Sequence, residues 1–203
     1  MSSNDSLLNF LDDWRSIRNF KDESIPSAVV ERLLQIACRA PSAHNSQPWR
    51  FIILAEGDAR QKLAEAMGAR LREGRIADGD DLAEIEKEVL LSYARICGAP
   101  LAVLLCLTME GSDHYPDEER MRAEYLMAVQ GAALAGYNLM LAARAEGLGA
   151  CWLCAPIFAP QAAKDALDLP EGWEPQGLIL LGYPRDEGKK RERLPVDRVS
   201  LWR

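Results

Sequence analysis

APSAHNSQPWRFIIL, residues 40–54, passes from helix to loop to strand within one short stretch. Ala40 follows an apolar pattern in which Val30, Leu33, Leu34 and Ala37 recur at helical spacing after Pro26, a residue suited to a first turn. Pro41 and Ser42 stop that helix. A polar loop with Asn45 and Gln47 follows, and after Pro48 the run WRFIIL, short and rich in β-formers, reads as a strand buried on both faces. Small and amide residues in a loop that leads into a buried strand can approach a flat heterocycle and offer paired donors and acceptors to its polar edge. The plainer reading is a helix stop and a solvated turn.

Two further runs resemble that strand. PLAVLLCL, residues 100–107, and GLILLGY, residues 177–183, are each bounded by Gly or Pro and too short for independent helices. A short fourth strand is expected at residues 151–155. Before the first strand, an opening helix ends near Trp14. Between the first two strands, Leu82, Ile85, Val89, Tyr93 and Ile96 form one apolar stripe, with Glu84, Glu86, Lys87 and Glu88 facing away, which predicts a surface helix. After the linker GSDHYPD, residues 125–143 carry no charge and approach the length of a membrane span. Gln130 and Asn138 interrupt them, and Ala128, Gly131, Ala132, Ala133, Ala135 and Gly136 supply much of the bulk, a composition that favours close helix packing over lipid. A buried soluble helix is expected, ended by Gly147 and Gly149.

The chain has 203 residues, 48% hydrophobic and 27% charged, which suits one soluble domain with a core of its own. Thirty-one acids against twenty-four bases leave a net charge of -7, which opposes broad binding to nucleic acid or anionic membrane. Any anion site is therefore local. The start lacks a basic segment followed by a long apolar one, so a cytoplasmic location is expected. Five scattered cysteines in apolar contexts imply no disulfide framework. From Arg185 to Arg203 the chain has few large apolar residues and several charges, and such an extension packs on something else, another subunit being one choice.

Familiar catalytic signatures are mostly missing. There is no GxxxxGK[ST] loop and no GxSxG elbow, and the GxG at Gly147 and Gly149 has Trp152 where a dinucleotide fingerprint needs a small residue. His44 and His114 lack metal-ligand spacing, so no metal is expected. Cys151 and Cys154 form a CxxC, but on a strand side chains three apart face opposite ways, which argues for packing rather than redox exchange. DDWRSIRNF places Arg15, Ser16 and Arg18 together, donors suited to a phosphate.

RSIRNF, APSAHNSQPWRF, EGLGACWL and the basic KKRERLP resemble, in order and spacing and over nearly the whole chain, the FMN-dependent nitroreductase family. Within it, HYPDEERMRAEYLM, EGLGACWLCAPIF and LDLPEGW look most like the nitroreductase-like domain attached to the glutamate ligase of deazaflavin-coenzyme biosynthesis. The resemblance implies an α+β fold, with a central, mostly antiparallel sheet flanked by helices in an intertwined homodimer. FMN would lie at the subunit interface. Arg15, Ser16 and Arg18 would hold its phosphate and part of the ring, with Arg191 and Arg193 at the phosphate. Pro41, Ser42, Ala43, Asn45 and Gln47 would lie on the ring from the neighbouring subunit, and Leu153 and Cys154 near its reactive face.

The implied activity passes a hydride or two electrons from NADH or NADPH through FMN to a small organic acceptor, a dehydro precursor of the deazaflavin coenzyme being the specific candidate. No catalytic side chain is named. One departure matters: Trp14 stands where the family usually has a basic residue, and loss of one phosphate partner costs about 1–3 kcal/mol unless a neighbour such as Arg15 compensates. The small-residue helix face of Ala128, Gly131, Ala132, Ala135 and Gly136 is expected to admit a helix of the second subunit. The rival readings are a flavin-binding protein of the same fold without turnover, and a thiol-redox protein using CWLC.

Overall fold

The computed structural model describes residues 3–55 and 57–203. The chain runs α1 (Ser3–Asp12), α2 (Ser27–Ala37), β1 (Trp49–Leu54), α3 (Gly57–Ala77), α4 (Leu82–Cys97), β2 (Leu101–Leu107), α5 (Glu118–Ala145), β3 (Gly149–Leu153), α6 (Ala155–Phe158), α7 (Pro160–Leu167) and β4 (Glu174–Gly182). The four strands form one sheet, ordered β1-β2-β4-β3, with every pairing antiparallel. The α+β architecture is therefore as the sequence reading has it.

Alternation along β2 explains the layers, because successive side chains point to opposite faces. Ala102, Leu104 and Cys106 join Leu63 and Met67 of α3, Ile96 of α4 and Ala163 of α7. Leu101 and Val103 join Leu33 and Ala37 of α2 and Leu139 and Ala143 of α5. The sheet is thus covered on both sides, and β2 and β4 are enclosed along their length apart from Glu174. β1 departs from its sequence reading. It is an edge strand, half-buried over residues 50–52 and open at Ile53, because no neighbour lies beyond it.

Two helical regions were not anticipated from the sequence. α3 carries Gly68, Gly74 and charges around much of its circumference and buries only Leu63, Ala64, Met67 and Gly68, so its periodicity is faint. α6 and α7 are too short to show one. α4, by contrast, follows its apolar stripe and is capped by Asp81, whose carboxylate accepts from the backbone N–H of Ala83 and Glu84.

α5 is long and apolar enough to cross a membrane by length and composition, yet it lies against the sheet and α2. Its small-residue face is not free for a second copy. Ala128, Gly131, Ala132, Ala135 and Gly136 are all buried within the chain. A Cβ at Gly131 would stand 3.1 Å from Pro48, and one at Gly136 2.3 Å from the Trp152 ring. The outward face carries Leu126, Leu134 and Tyr137 instead, so close packing is used inside the subunit. Gly147, at φ +76, ends α5, whereas Gly149 opens β3.

Candidate functional site

The loop before β1 is held in a costly conformation. Ser42 is extended, Ala43–Asn45 make a single 3-10 turn, and His44, Asn45 and Gln47 have positive φ of 51, 56 and 48°. Each such residue costs about 1–2 kcal/mol. Local bonds sustain the arrangement: the Gln47 N–H donates to Ser42 Oγ at 3.0 Å, and Arg50 donates to the Gln47 carbonyl at 3.1 Å. Below it, the Thr108 N–H donates to the Pro48 carbonyl, while Gly131 and Gly111 leave room for Pro48, Ser42 and Ser46. Pro41, His44, Asn45 and Gln47 are consequently presented outward, with Ser42 and Ala43 half-buried.

At the opposite edge of the sheet, residues 15–21 run beside β3 and the end of β4. The Ile17 N–H donates to the Ala150 carbonyl, the Lys21 N–H to the Tyr183 carbonyl, and Phe20 bridges Pro184. Backbone of this extended kind alternates its side chains. Ser16 and Arg18 therefore share one side, with Arg15 and Ile17 on the other. Consistently, a cavity of about 550 Å3 is lined by Trp14, Arg15, Ile17, Arg144 and Glu187, but by neither Ser16 nor Arg18.

Arg15 is ion-paired to Asp13 at 2.5 Å and to Glu187 at 3.7 Å, and its buried Nε has no hydrogen-bond partner. Asp13 also accepts from Arg144. Among the described residues Arg18 contacts no carboxylate, and its guanidinium donates to the Ser16 carbonyl at 3.3 Å. The positive charge of Arg18 is nevertheless felt on β3: burial pushes the Cys151 thiol up, against the nearby charges of Arg18 and Arg95.

Leu153 closes β3, and Cys154 stands just beyond it as the residue before α6. The CxxC is therefore not carried by one strand as the sequence suggests. Its two sulfurs are separated by environment, Cys151 being enclosed and Cys154 exposed. Arg191 and Arg193 lie in an exposed tail and make no ion pair with any described residue. The segment that does reach residues 15–19 is the turn preceding them, 184–188, through Asn19, Asp186, Glu187 and Gly188. Sequence reasoning missed that turn, although Asp-x-Gly after a strand is an ordinary turn signal.

Within one chain, the two halves of the predicted site are not brought together. β1 and β3 are the outer strands, so three inter-strand spacings put the loop about 14 Å from β3 across the sheet. Trp49 lies in the Leu107 row and Ala150 in the Leu181 and Leu101 row, which adds about 20 Å along the strands.

A sequence model described as the nitroreductase family matches residues 11–183. An NADH dehydrogenase from Thermus thermophilus is 30% identical over 93% of this chain and 92% of its own length. A 5,6-dimethylbenzimidazole synthase from Rhodospirillum rubrum is 31% identical over 89% of this chain and 83% of its own. Among solved structures, a nitroreductase-type protein in complex with FMN from Desulfovibrio desulfuricans superposes with a TM-score of 0.73 at 25% identity, covering 97% of this chain and 96% of that one.

Proposed function

This chain belongs to the nitroreductase family, and on that premise we propose that it is an FMN-dependent oxidoreductase acting as a homodimer, in which two copies share each cofactor. When bound, FMN supplies the redox chemistry, accepting a hydride from NADH or NADPH and passing two electrons to a small organic acceptor. The protein binds and orients. Ser16 and Arg18, on one side of their extended segment, hold the phosphate end and the adjoining ring edge, with Arg15 reaching round from the other side and Arg191 and Arg193 arriving from the tail. Arg18 places positive charge where the reduced ring gains negative charge.

Pro41, Ser42, Ala43, Asn45 and Gln47 come from the second copy, and Leu153 and Cys154 flank the reacting face. The observation that carries this reading is a set of unspent cationic donors beside β3: the partnerless Nε of Arg15 and the carboxylate-free guanidinium of Arg18. A buried donor without a partner, as Arg15 Nε is, is costly, and an anion relieves that cost, while the exposed Arg18 adds positive charge.

A second copy is supported by distance and by exposed apolar surface. The loop and the Arg15 segment of one chain lie too far apart to grip one ring. Leu126, Leu134 and Tyr137 on α5 and Leu194, Val196, Val199, Leu201 and Trp202 in the tail are all exposed in a single copy, the tail being the extension we assign to the partner's surface.

The cofactor is tested by the spectrum and mass of what the purified protein releases. Enzymatic turnover is tested by stopped-flow reduction with NADH and NADPH. FMN release followed by rapid bleaching is the expected result, and a colourless monomer that takes up no flavin refutes the reading. For the acceptor, the HYPDEERMRAEYLM and LDLPEGW stretches support a dehydro precursor of the deazaflavin coenzyme. Faster turnover of nitroarenes than of that precursor would count against it.

A further inference from the structure

Asp186 uses its two carboxylate oxygens to join two separate stretches of chain, one through a side-chain amide and one through a backbone N–H. Its Oδ2 accepts from Asn19 Nδ2 at 2.6 Å, and its Oδ1 accepts from the Gly188 N–H at 2.9 Å. Around this link, the Arg185 N–H donates to the Asn19 carbonyl at 3.0 Å and Arg185 Nε to the Phe20 carbonyl at 3.1 Å. Arg15 reaches Glu187 at 3.7 Å. Turn 184–188 is therefore tied to segment 15–20 at several points, and Asp186 is the side chain that joins the segment to the far end of the turn.

That far end is Gly188, at φ +70. A Cβ there would stand 2.9 Å from Ile17 Cδ1, 3.2 Å from the Ser16 carbonyl oxygen and 3.6 Å from Arg15 Cβ, so the chain packs on the Arg15–Ile17 side of the segment, against its backbone. Lys189, Lys190, Arg191 and Arg193 follow at once, exposed and without ion pairs among the described residues. An extended chain advances at most about 3.6 Å per residue, which confines the Arg191 Cα to within about 11 Å of Gly188. The turn thus sets where the basic run departs from the segment that carries Arg15, Ser16 and Arg18.

We propose that Asp186 is a positioning residue for the phosphate end of the cofactor site, fixing the turn from which residues 189–193 reach the anion. The inference rests on the FMN reading above. The Asn19 amide first and the Gly188 N–H second hold the Asp186 carboxyl below its ordinary range, so it accepts both bonds as a carboxylate.

The test compares FMN with riboflavin, which lacks the phosphate, by equilibrium titration of flavin-stripped protein. The variants are Asp186→Ala, Asp186→Asn and Asn19→Ala, with unfolding curves recorded alongside. Asp186→Ala is expected to weaken FMN about tenfold, the size of one lost charge-assisted contact, while riboflavin affinity stays within about twofold. Asn19→Ala should move in the same direction, and Asp186→Asn, which keeps one acceptor oxygen, should fall between. Adding Arg191→Ala to Asp186→Ala should cost less than Arg191→Ala costs alone, because the run is already misplaced.

Equal loss of FMN and riboflavin in Asp186→Ala, or loss of neither, would overturn the inference and leave the FMN reading intact. A wild-type protein that binds neither flavin would overturn both.

Discussion

Gly136→Ala should destabilise this protein although alanine is the better helix former. At an ordinary helical site the change gains about 1 kcal/mol. Here the added Cβ would lie 2.3 Å from Trp152 Cζ3 and 2.9 Å from Leu105 Cδ2, well inside the ordinary 3.4–4 Å contact range, so the ring would have to move by more than an ångström. The opposite edge of the ring is confined as well. Gly177 on β4 leaves just enough room for the other side of the indole, with its own Cβ position 2.5–2.7 Å from Trp152 Cε2, Cζ2 and Nε1.

Overpacking of a rigid core costs about 1–3 kcal/mol, and a ring held between α5 and β4 belongs near the upper end. Set against the propensity gain, the net loss is about 2 kcal/mol, or about 4–8 °C in Tm for a domain of this size. The assay is thermal and urea unfolding of flavin-free protein at matched concentration. Gly136→Ala combined with Trp152→Phe, which removes the clashing part of the indole, should lose less than the two single changes added together. A Gly136→Ala protein as stable as the wild type would show that Trp152 is free to shift, and the account of this slot would be wrong.

Asp81→Ala should cost about 1 kcal/mol by removing the acceptor for the Ala83 and Glu84 N–H groups, with faster amide exchange confined to the first turn of α4. Unchanged exchange there would contradict the cap. The Tyr125 hydroxyl donates to Glu174 at 2.5 Å, and this bond, followed by burial, raises its pKa above the ordinary value. A raised value favours the neutral phenol in the fold, so its contribution is complete below about pH 10 and is lost as pH rises through the folded value. Tyr125→Phe should therefore flatten the alkaline fall in stability, and parallel curves for the two proteins would refute this. Cys38 and Cys154 are exposed, whereas burial pushes the Cys106 thiol up to about 12, so a thiol reagent should modify the first two rapidly and Cys106 only on unfolding. Bound FMN should slow modification of Cys154 and leave Cys38 unchanged, read by peptide mass.

Residues 40–54 were readable because each local reason is carried by the stretch itself: Pro41 stops a helix, small and amide residues make the loop, and β-formers make the strand. α4 and β2 were readable by the same logic of stripe and run. α3 was not, since its burial depends on four residues and the rest of its surface is polar. The small face of α5 was seen but its use was misjudged. Composition tells that a helix packs closely, and not whether the neighbour is Trp152 of the same chain or a helix of another.

The candidate site divides in the same way. Arg15, Ser16 and Arg18 could be named from adjacency, but which of them share a side depends on the backbone being extended. That follows only from the pairing of Ile17 with Ala150 and of Lys21 with Tyr183, partners more than a hundred residues away. Asp186 and Asn19 were invisible for the same reason, each an unremarkable polar residue until their segments meet. The consequence bears on how the site is probed. Arg15→Ala releases Asp13 and Glu187, and so disturbs turn 184–188 as well as removing a charge. Among the described residues Arg18 hydrogen-bonds only the Ser16 carbonyl, so Arg18→Ala changes charge beside β3 while leaving every tie between the two segments in place. Of the two, Arg18→Ala measures electrostatic help to a reduced flavin, and Arg15→Ala mixes that help with the position of the basic run.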